Sequence, residues 1–342
     1  MSLRTIQAAI GTPMELEDRV ASLEHAVNTD EALALQIMLT QGNIWHVKPY
    51  TGLDSHDGKT SATAFKTLVA ALAAATANQN DIVLLYAESA SAGNTTDYQA
   101  ATLDWNKDLV HLIGVSNGTL IGSRSRIAPL SSVTAFANLF TLSANGCLIN
   151  NILFIQEAML TNPTAASTCM TVSGQRNRIV NCQISGIADS TLDDAGSNSL
   201  TVTGSENIFQ HCYIGLDTII RATSVTEVII SGAAARNIFE NCHFETWTSG
   251  SAFKMISIGT GVDRFVKFVN CDFVAAQNIP SAVAPTGLIG ITTMNGQVIV
   301  RNPYLYGFAQ YVTGDNAYVQ VLGHNGLATG HLVGIAQGVD AA

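Results

Sequence analysis

The chain has 342 residues, of which 47% are hydrophobic and only 12% are charged. Its net charge is −10 and no run of Lys or Arg occurs, which excludes nucleic acid as the main ligand because phosphate recognition needs clustered cations. No segment approaches the roughly 18 consecutive apolar residues of a membrane span, and the start of the chain lacks the pattern of a signal peptide. We therefore expect neither a membrane segment nor a secretory signal.

The first segment, 1–43, is predicted to be a helical attachment or oligomerisation segment. Thr12-Pro13 is a typical helix start, and the apolar residues that follow are spaced 4, 3 and 4 apart, as on a coiled-coil seam. These residues are Leu16, Val20, Leu23 and Val27. A helix with one apolar stripe must bury that stripe, either against its own chain or against further copies of it.

The next segment, 44–100, is predicted to be a cap with both helix and strand. It contains a predicted strand Ile44–Val47, an Asp/Gly turn Asp54–Gly58, an Ala-rich helix Ala62–Ala77 and a buried strand Ile82–Tyr86.

The turn in this cap has the sequence DSHDG, and its polar residues are ones that can ligate a cation. Asp54, His56 and Asp57 do not have the spacing of a calcium loop, which supplies more oxygen ligands and a distal Glu. We interpret the turn as one that initiates the helix.

A repeat of about 30 residues marks the segment 101–310. Cysteines recur at separations of 30, 30 and 29, at Cys182, Cys212, Cys242 and Cys271. The residue before each repeat position is Asn or His, namely Asn151, Asn181, His211, Asn241, Asn270 and Asn302. A period of this length indicates a solenoid, in which each unit buries its apolar face only against its neighbours.

The segments within each repeat are short, alternate apolar and polar residues, and end at Gly, Asn or Asp. Helical periodicity and the fixed Leu positions of leucine-rich repeats are both missing from the unit. The prediction is an all-β fold, a parallel β-helix solenoid with about 30 residues per coil, preceded by the N-terminal helix and the α/β cap. The Asn positions form a predicted ladder of turns, because Asn tolerates left-handed backbone conformations.

The four repeated cysteines are predicted to form a ladder of buried, reduced thiols. A disulfide framework is typical of small secreted domains, whereas this chain has 342 residues and no predicted secretory signal. A zinc site needs its sulfurs about 2.3 Å from one ion, whereas four stacked coils spread over roughly 14 Å. We therefore expect no metal site and no cofactor.

The cap carries a resemblance to a known family. Its pattern GxDxxDGxTxxTAFxTLxxAL…DxVxLxA resembles the N-terminal cap of right-handed β-helix proteins of the pectate-lyase-like superfamily. The matching residues are Gly52, Asp54, Asp57, Gly58, Thr60, Ala64, Phe65, Leu68, Ala71, Leu72, Asp81, Val83 and Leu85. The resemblance covers roughly 44–310 and implies a right-handed coil; such proteins are frequent among phage tailspikes, virion appendages and polysaccharide-acting proteins.

Catalytic candidates in the coils are few. Polysaccharide-cleaving enzymes of the family that this chain resembles use paired carboxylates or Asp clusters that hold calcium. Asp189, Asp217 and Glu245 come close to a common register and form a possible acidic stripe, for which a solvated loop edge is the alternative. His211 and His243 flank cysteine positions without an acid at a matching offset, and the three Trp residues define no sugar-binding platform. The sequence favours a scaffold over an enzyme.

The resemblance implies a phage virion structural protein: a capsid decoration, head fibre or tail appendage assembled in the host cytoplasm. We expect a homotrimer that contacts capsid or tail proteins, with 311–342 as a C-terminal strand and tail. The alternative is a polysaccharide-binding or polysaccharide-degrading β-helix, such as a tailspike lyase or hydrolase, for which a cell-surface polysaccharide is the partner. A bacterial adhesin is a third hypothesis, which requires an export route.

Overall fold

The computed structural model describes residues 42–89, 91–116, 125–276, 279–314, 316–323 and 337–338. Apart from Gly42, they belong to one compact unit, Asn43–Ala342. The predicted N-terminal helix and its stripe of Leu16, Val20, Leu23 and Val27 lie outside the described residues. Within the described part, no helix is both long enough and apolar enough to cross a membrane.

The described strands form three sheets that run along the axis of a solenoid. Sheet 1 contains, in spatial order, β1 (Ile44–Val47), β2 (Ile82–Tyr86), β5 (His111–Val115), β8 (Leu148–Asn150), β11 (Arg178–Val180), β14 (Ile208–Gln210), β17 (Asn237–Glu240), β20 (Phe265–Val269), β23 (Gln297–Arg301), β26 (Val319–Leu322) and β27 (Gln337–Gly338).

The other two sheets contain eight described strands each. Sheet 2 contains β3 (Thr96–Gln99), β6 (Arg126–Pro129), β9 (Leu153–Gln156), β12 (Gln183–Ile187), β15 (Tyr213–Arg221), β18 (His243–Thr248), β21 (Asp272–Ala275) and β24 (Tyr304–Tyr306). Sheet 3 contains β4 (Leu103–Trp105), β7 (Asn138–Leu142), β10 (Thr168–Val172), β13 (Asn198–Val202), β16 (Thr226–Ile230), β19 (Lys254–Ile258), β22 (Gly287–Ile291) and β25 (Gln310–Gly314).

Each coil of the chain passes through sheet 1, sheet 2 and sheet 3 in turn and then starts the next coil. Neighbouring strands are parallel throughout the described sheets, apart from the terminal pair β26–β27, which is antiparallel. Pairing joins residues about one repeat apart, as in Arg178 opposite Ile208. The predicted parallel β-helix with about 30 residues per coil is confirmed.

The core is built from side chains that stack on their counterparts in adjacent coils. The rings of Phe209, Phe239 and Phe268 follow one another at centroid distances of 4.5 and 4.9 Å. Phe244 and Phe273 form a parallel stack at 4.9 Å on the neighbouring sheet. This spacing follows from the distance of about 4.8 Å between hydrogen-bonded strands, and burial of each such ring contributes roughly 1.5–3 kcal/mol.

The Asn positions lie in the turns between sheet 1 and sheet 2. Their φ angles are positive: 58° at Asn151, 51° at Asn181, 52° at Asn241, 51° at Asn270 and 48° at Asn302. The side-chain amide of Asn302 donates to Asn270 Oδ1 at 3.1 Å, and that of Asn270 donates to Asn241 Oδ1 at 3.3 Å. His211 occupies the same turn position, with φ 51°. Asn therefore combines a left-handed backbone with hydrogen bonds between coils.

The repeated cysteines follow directly after these turns. Cys182, Cys212, Cys242 and Cys271 are all buried, and every cysteine in the chain is a free thiol. The Cys242 thiol donates to the Phe209 carbonyl of the preceding coil at 3.4 Å. Burial raises the pKa of this thiol well above its ordinary value, so it stays protonated.

A second Asn ladder, which the sequence analysis does not predict, lies where the turns from sheet 3 enter the strands of sheet 1. Asn177, Asn207 and Asn237 are buried, and each side-chain oxygen accepts the backbone N–H one coil earlier at 2.8–2.9 Å. Each side-chain amide also donates to a turn carbonyl, as Asn207 does to Gly174 at 3.1 Å. These contacts satisfy backbone groups that the turns would otherwise bury without partners.

The helix of the cap, α1 (Leu68–Ala74), begins six residues later than predicted and ends at Ala74 rather than Ala77. Phe65 bridges to β1 instead, since its N–H donates to the His46 carbonyl at 2.8 Å. The Asp54 carboxylate accepts the N–H groups of Lys66 and Thr67 at 2.9 Å, which places Thr67 as the N-cap. This use of Asp54 agrees with a turn that initiates the helix.

The first prediction concerns the cysteine ladder. Cys242→Val has a similar volume and should cost less than about 1.5 kcal/mol in the free energy of unfolding. Cys242→Asp should block folding, because it buries an unpaired charge. In the wild type, alkylation followed by mass spectrometry should modify the four repeated cysteines only after denaturation. Rapid modification of all four in the native protein would contradict the buried ladder.

The second prediction concerns Asp97, a buried carboxyl in β3 that accepts from the Leu68 N–H at 3.4 Å and from the Gln99 amide. Burial raises its pKa from 3.8 to about 7. Between these values the folded state keeps a proton that the unfolded state loses, so stability falls as the pH rises from about 4 to about 7. Asp97→Asn should remove this slope and stabilise the protein at pH 8.

The loss in free energy of unfolding between about pH 4 and about pH 7 that Asp97 causes should be on the order of a few kcal/mol. Denaturant unfolding of wild type and Asp97→Asn at pH 5 and at pH 8 measures it. Asp217→Asn, at an exposed position in β15, controls for the loss of one negative charge from the surface. Equal pH slopes in wild type and Asp97→Asn would show that Asp97 does not carry the effect.

Candidate functional site

The outward face of sheet 2 places polar and aromatic side chains in rows across the coils. Tyr213, His243, Asp272 and Tyr304 occupy equivalent positions on β15, β18, β21 and β24. Alternate residues of these strands point into the core, as Phe244 does. The row therefore follows from the period of two along each strand and from the parallel register between strands.

A second row lies two residues further along the same strands, with Glu245 on β18 and Tyr306 on β24. We call the group formed by Tyr213, His243, Glu245, Asp272, Tyr304 and Tyr306 the sheet 2 platform.

His243 is the centre of the sheet 2 platform. Its Nε2 atom lies 3.6 Å from Glu245 Oε2, and its Nδ1 atom lies 3.7 Å from Asp272 Oδ2. The imidazole stacks on the ring of Tyr213 with a centroid distance of 4.9 Å and an interplanar angle of 26°. The ring therefore has a carboxylate on each nitrogen side and an aromatic face below.

The two carboxylates differ in their surroundings. Glu245 is half-buried, and this burial raises its pKa. The Asp272 side chain is 55% exposed. The Asp272 carboxylate can accept hydrogen bonds from hydroxyl groups. At 3.6 Å the Glu245 carboxylate is an electrostatic neighbour of the imidazole rather than its hydrogen-bond partner.

The tyrosines at the end of the platform are exposed aromatic surfaces. Tyr304 is 45% exposed and Tyr306 is 40% exposed. A shallow depression at Tyr304 is lined by Asn270, Asp272, Asn302, Pro303 and Tyr304 itself. An exposed ring next to amide and carboxylate groups can bind a ligand that has both an apolar face and hydroxyl groups.

The structure distributes the predicted acidic stripe over three different positions. Asp189 caps a short 3₁₀ turn, where its Oδ1 accepts the Thr191 N–H at 2.9 Å. Glu245 lies opposite Gly215, whereas Asp217 lies further along β15, where the register shifts. No hydrogen bond or ion pair is found between any two of these three described carboxylates. Glu245 enters the platform through His243 rather than through the stripe.

A buried charged cluster lies where the turn after β12 meets the end of β15. Arg221 Nε is 3.6 Å from Asp193 Oδ1 and 3.8 Å from Glu227 Oε2, and all three side chains are almost fully buried. Burial raises the pKa of Glu227, which the Ser199 hydroxyl contacts. Asp193 also accepts three backbone N–H groups from 222–224. The cluster holds two turns together and is closed to a ligand.

Part of the platform could have been found from the sequence. Tyr213, His243, Asp272 and Tyr304 each follow a repeat position, after Cys212, Cys242, Cys271 and Pro303 respectively. The sequence interpretation treated His243 as an isolated surface residue and considered only Trp as a sugar-binding aromatic. The described residues contain no group of three or more His, Cys, Asp or Glu side chains arranged to hold a metal ion.

No protein-family model matches this chain, and no curated protein matches it. Solved structures match its fold. Pectin methylesterase PemA from Erwinia chrysanthemi has a TM-score of 0.53 at 15% identity, covering 84% of this chain and 90% of its own. A rhamnogalacturonan lyase has a TM-score of 0.56 at 15% identity, covering 85% and 75% respectively.

A further pectin methylesterase, solved in complex with a hexasaccharide, has a TM-score of 0.55 at 14% identity, covering 84% of this chain and 90% of its own. Identities this low show the fold alone. The fold is the right-handed β-helix of the pectate-lyase-like type, so the predicted resemblance is confirmed at the level of fold. Its phage part stays a prediction.

Proposed function

We propose that this protein binds a polysaccharide along the sheet 2 platform. The observation that carries the proposal is the position of two exposed tyrosines on one strand: Tyr304 lies opposite Asp272, the neighbour of His243, and Tyr306 lies two residues further along. This function corresponds to the alternative drawn from the sequence, and the platform supports it with specific side chains.

The geometry of the platform matches the chemistry of a sugar chain. A pyranose ring has an apolar C–H face that stacks on an aromatic ring, and its hydroxyl groups point outward to hydrogen-bonding partners. Tyr304 and Tyr306 lie two residues apart on one strand, which separates them by roughly 7 Å on the same face. Asp272 and the amides of Asn270 and Asn302 lie within the adjoining depression.

The fold comparisons add support of a general kind. The pectin methylesterase solved with a hexasaccharide and the rhamnogalacturonan lyase are named for polysaccharide substrates. An elongated β-helix offers a long, straight surface to an elongated polymer.

The third prediction is that exposed tyrosines retain the protein on a polysaccharide. In affinity electrophoresis, gels that contain chitosan, a neutral mannan or polygalacturonate should differ in how strongly they retard the wild type. Tyr304→Ala and Tyr306→Ala should each weaken retardation by about 10-fold, because each removes a stacking surface worth about 1.5 kcal/mol.

Tyr98→Ala is the matched control, since Tyr98 is 39% exposed on β3 at the opposite end of the same sheet. It should leave retardation unchanged. A wild type that no polysaccharide retards relative to a gel without polysaccharide, or a Tyr98→Ala effect equal to that of Tyr304→Ala, would contradict the platform as the binding surface.

A virion structural role is the second candidate, and one observation favours it. Exposed apolar side chains lie in every second turn between sheet 2 and sheet 3, after β9, β15 and β21, at Leu160, Val225, Ile279 and Val283. Turns at equivalent places in a β-helix align along one flank, so these residues supply an apolar edge for contact between subunits. A trimer of capsid or tail appendages would cover such an edge.

The fourth prediction tests this assembly. If the flank joins subunits, the wild type should sediment as a trimer, and Leu160→Glu combined with Val225→Glu should shift it to monomer because the charges oppose burial. Val69→Glu is the control, since Val69 is exposed on α1, away from these turns. A wild type that is monomeric at all concentrations would remove the support for this candidate.

A further inference from the structure

We propose that the sheet 2 platform selects glycans that carry a protonated amine and rejects glycans that carry carboxylates. This inference rests on the proposed polysaccharide-binding function and names its substrate class. It comes from the charges that surround the two exposed tyrosines, and it makes the ligand a chain that contains amino sugars.

The first step is the distribution of charge on the platform. Glu245 and Asp272 flank His243 on both ring nitrogens. With both carboxylates ionised, the group has a net negative charge whether or not the imidazole is protonated. A uronate carboxylate that approached Tyr304 would therefore meet repulsion from Asp272, its neighbour in the register.

The second step is the position of the cations. On sheet 2, Arg126 pairs with Leu153, which lies three strand pairings from His243. Four strand spacings in total separate Arg126 from His243, or roughly 19 Å. Screening at physiological salt acts over about 8 Å, so Arg126 does not neutralise the platform.

The other described basic residues of the coils belong to other faces. Sheet 1 carries Arg178, Lys267 and Arg301, sheet 3 carries Lys254, the turns between sheet 3 and sheet 1 carry Lys107, Arg176, Arg236 and Arg264, and Arg221 is buried. Arg301 is the nearest of these along the chain, and the turn at Asn302 separates it from Tyr304.

The third step is that the platform combines groups that recognise an ammonium ion. Asp272 and Tyr304 are paired in register on adjacent strands, so a carboxylate lies beside an exposed aromatic ring. An ammonium group gains from the face of a tyrosine ring and from an ion pair with a carboxylate at the same time. Each side-chain amide of Asn270 and Asn302 uses one N–H in the ladder, and its second N–H is the donor that it offers to a sugar hydroxyl.

The test compares three oligosaccharides of equal length by isothermal titration calorimetry on the full-length protein. They are a glucosamine oligomer, its N-acetylated neutral counterpart and an oligogalacturonate. We expect the glucosamine oligomer to bind at least 10-fold more tightly than the oligogalacturonate. This preference should shrink between about 20 mM and about 200 mM NaCl, because the Debye length shortens.

Variants separate the charge effect from the stacking effect. Asp272→Asn should weaken binding of the glucosamine oligomer about 10-fold more than binding of the N-acetylated oligomer, because only the amine loses an ion pair. Asp217→Asn, which removes an exposed carboxylate from the irregular part of β15, is the control and should change neither affinity. Arg301→Gln should also change neither.

The outcomes distinguish this inference from the function on which it rests. Oligogalacturonate that binds as tightly as the glucosamine oligomer, and loses affinity in Tyr304→Ala or Arg301→Gln, would overturn the inference and keep the platform as a polysaccharide site. An amine preference that persists in Asp272→Asn would also overturn it. If none of the three oligosaccharides binds, both the inference and the proposed function fail.

Discussion

The hydrogen bonds between successive coils determine almost everything else in this structure. The N–H of Arg178 donates to the Cys147 carbonyl at 2.8 Å, that of Ile208 to Asn177 at 2.9 Å, and that of Ile238 to Asn207 at 3.0 Å. Such bonds hold each residue about 4.8 Å from its counterpart one coil away. A side chain must therefore be compatible with two copies of its own position, which is why phenylalanine, cysteine and asparagine each form columns.

The same register means that the turns need hydrogen-bond partners, because each turn buries backbone N–H and carbonyl groups. Asn177 and Asn207 supply these partners between sheet 3 and sheet 1, where the side chain replaces a missing backbone partner. Where the turns differ in length, charged side chains bind the backbone instead, as Asp193 does for the N–H groups of 222–224. Arg221 lies between Asp193 and Glu227 and joins turns of unequal length, at the expense of burying three ionisable groups.

In the sheet 2 platform, unlike the core, the residues that align from coil to coil differ from one another. On the outward face of sheet 2 no core packing requires identical residues, so the positions that are equivalent in register carry Tyr213, His243, Asp272 and Tyr304. Their chemistry differs while their spacing stays constant. A parallel β-helix can therefore hold an imidazole, a carboxylate and an aromatic ring in fixed order along a line, which is the form that a surface for an extended polymer requires.

The sequence alone determined the period, the strand type, the turn positions of Asn151 and its equivalents, and the burial of the cysteine column, because a repeat places the same local chemistry in every coil. Only the tertiary structure decided the rest. Asp217 lies outside the row of Glu245, because Gly215 is the residue of β15 that pairs with Glu245. The helix α1 begins late because Phe65 pairs with β1. His243 meets Asp272 and Glu245 through side-chain geometry that no repeat encodes. Packing of regular coils follows from composition and period, whereas contacts between unlike residues depend on where each irregular turn places them.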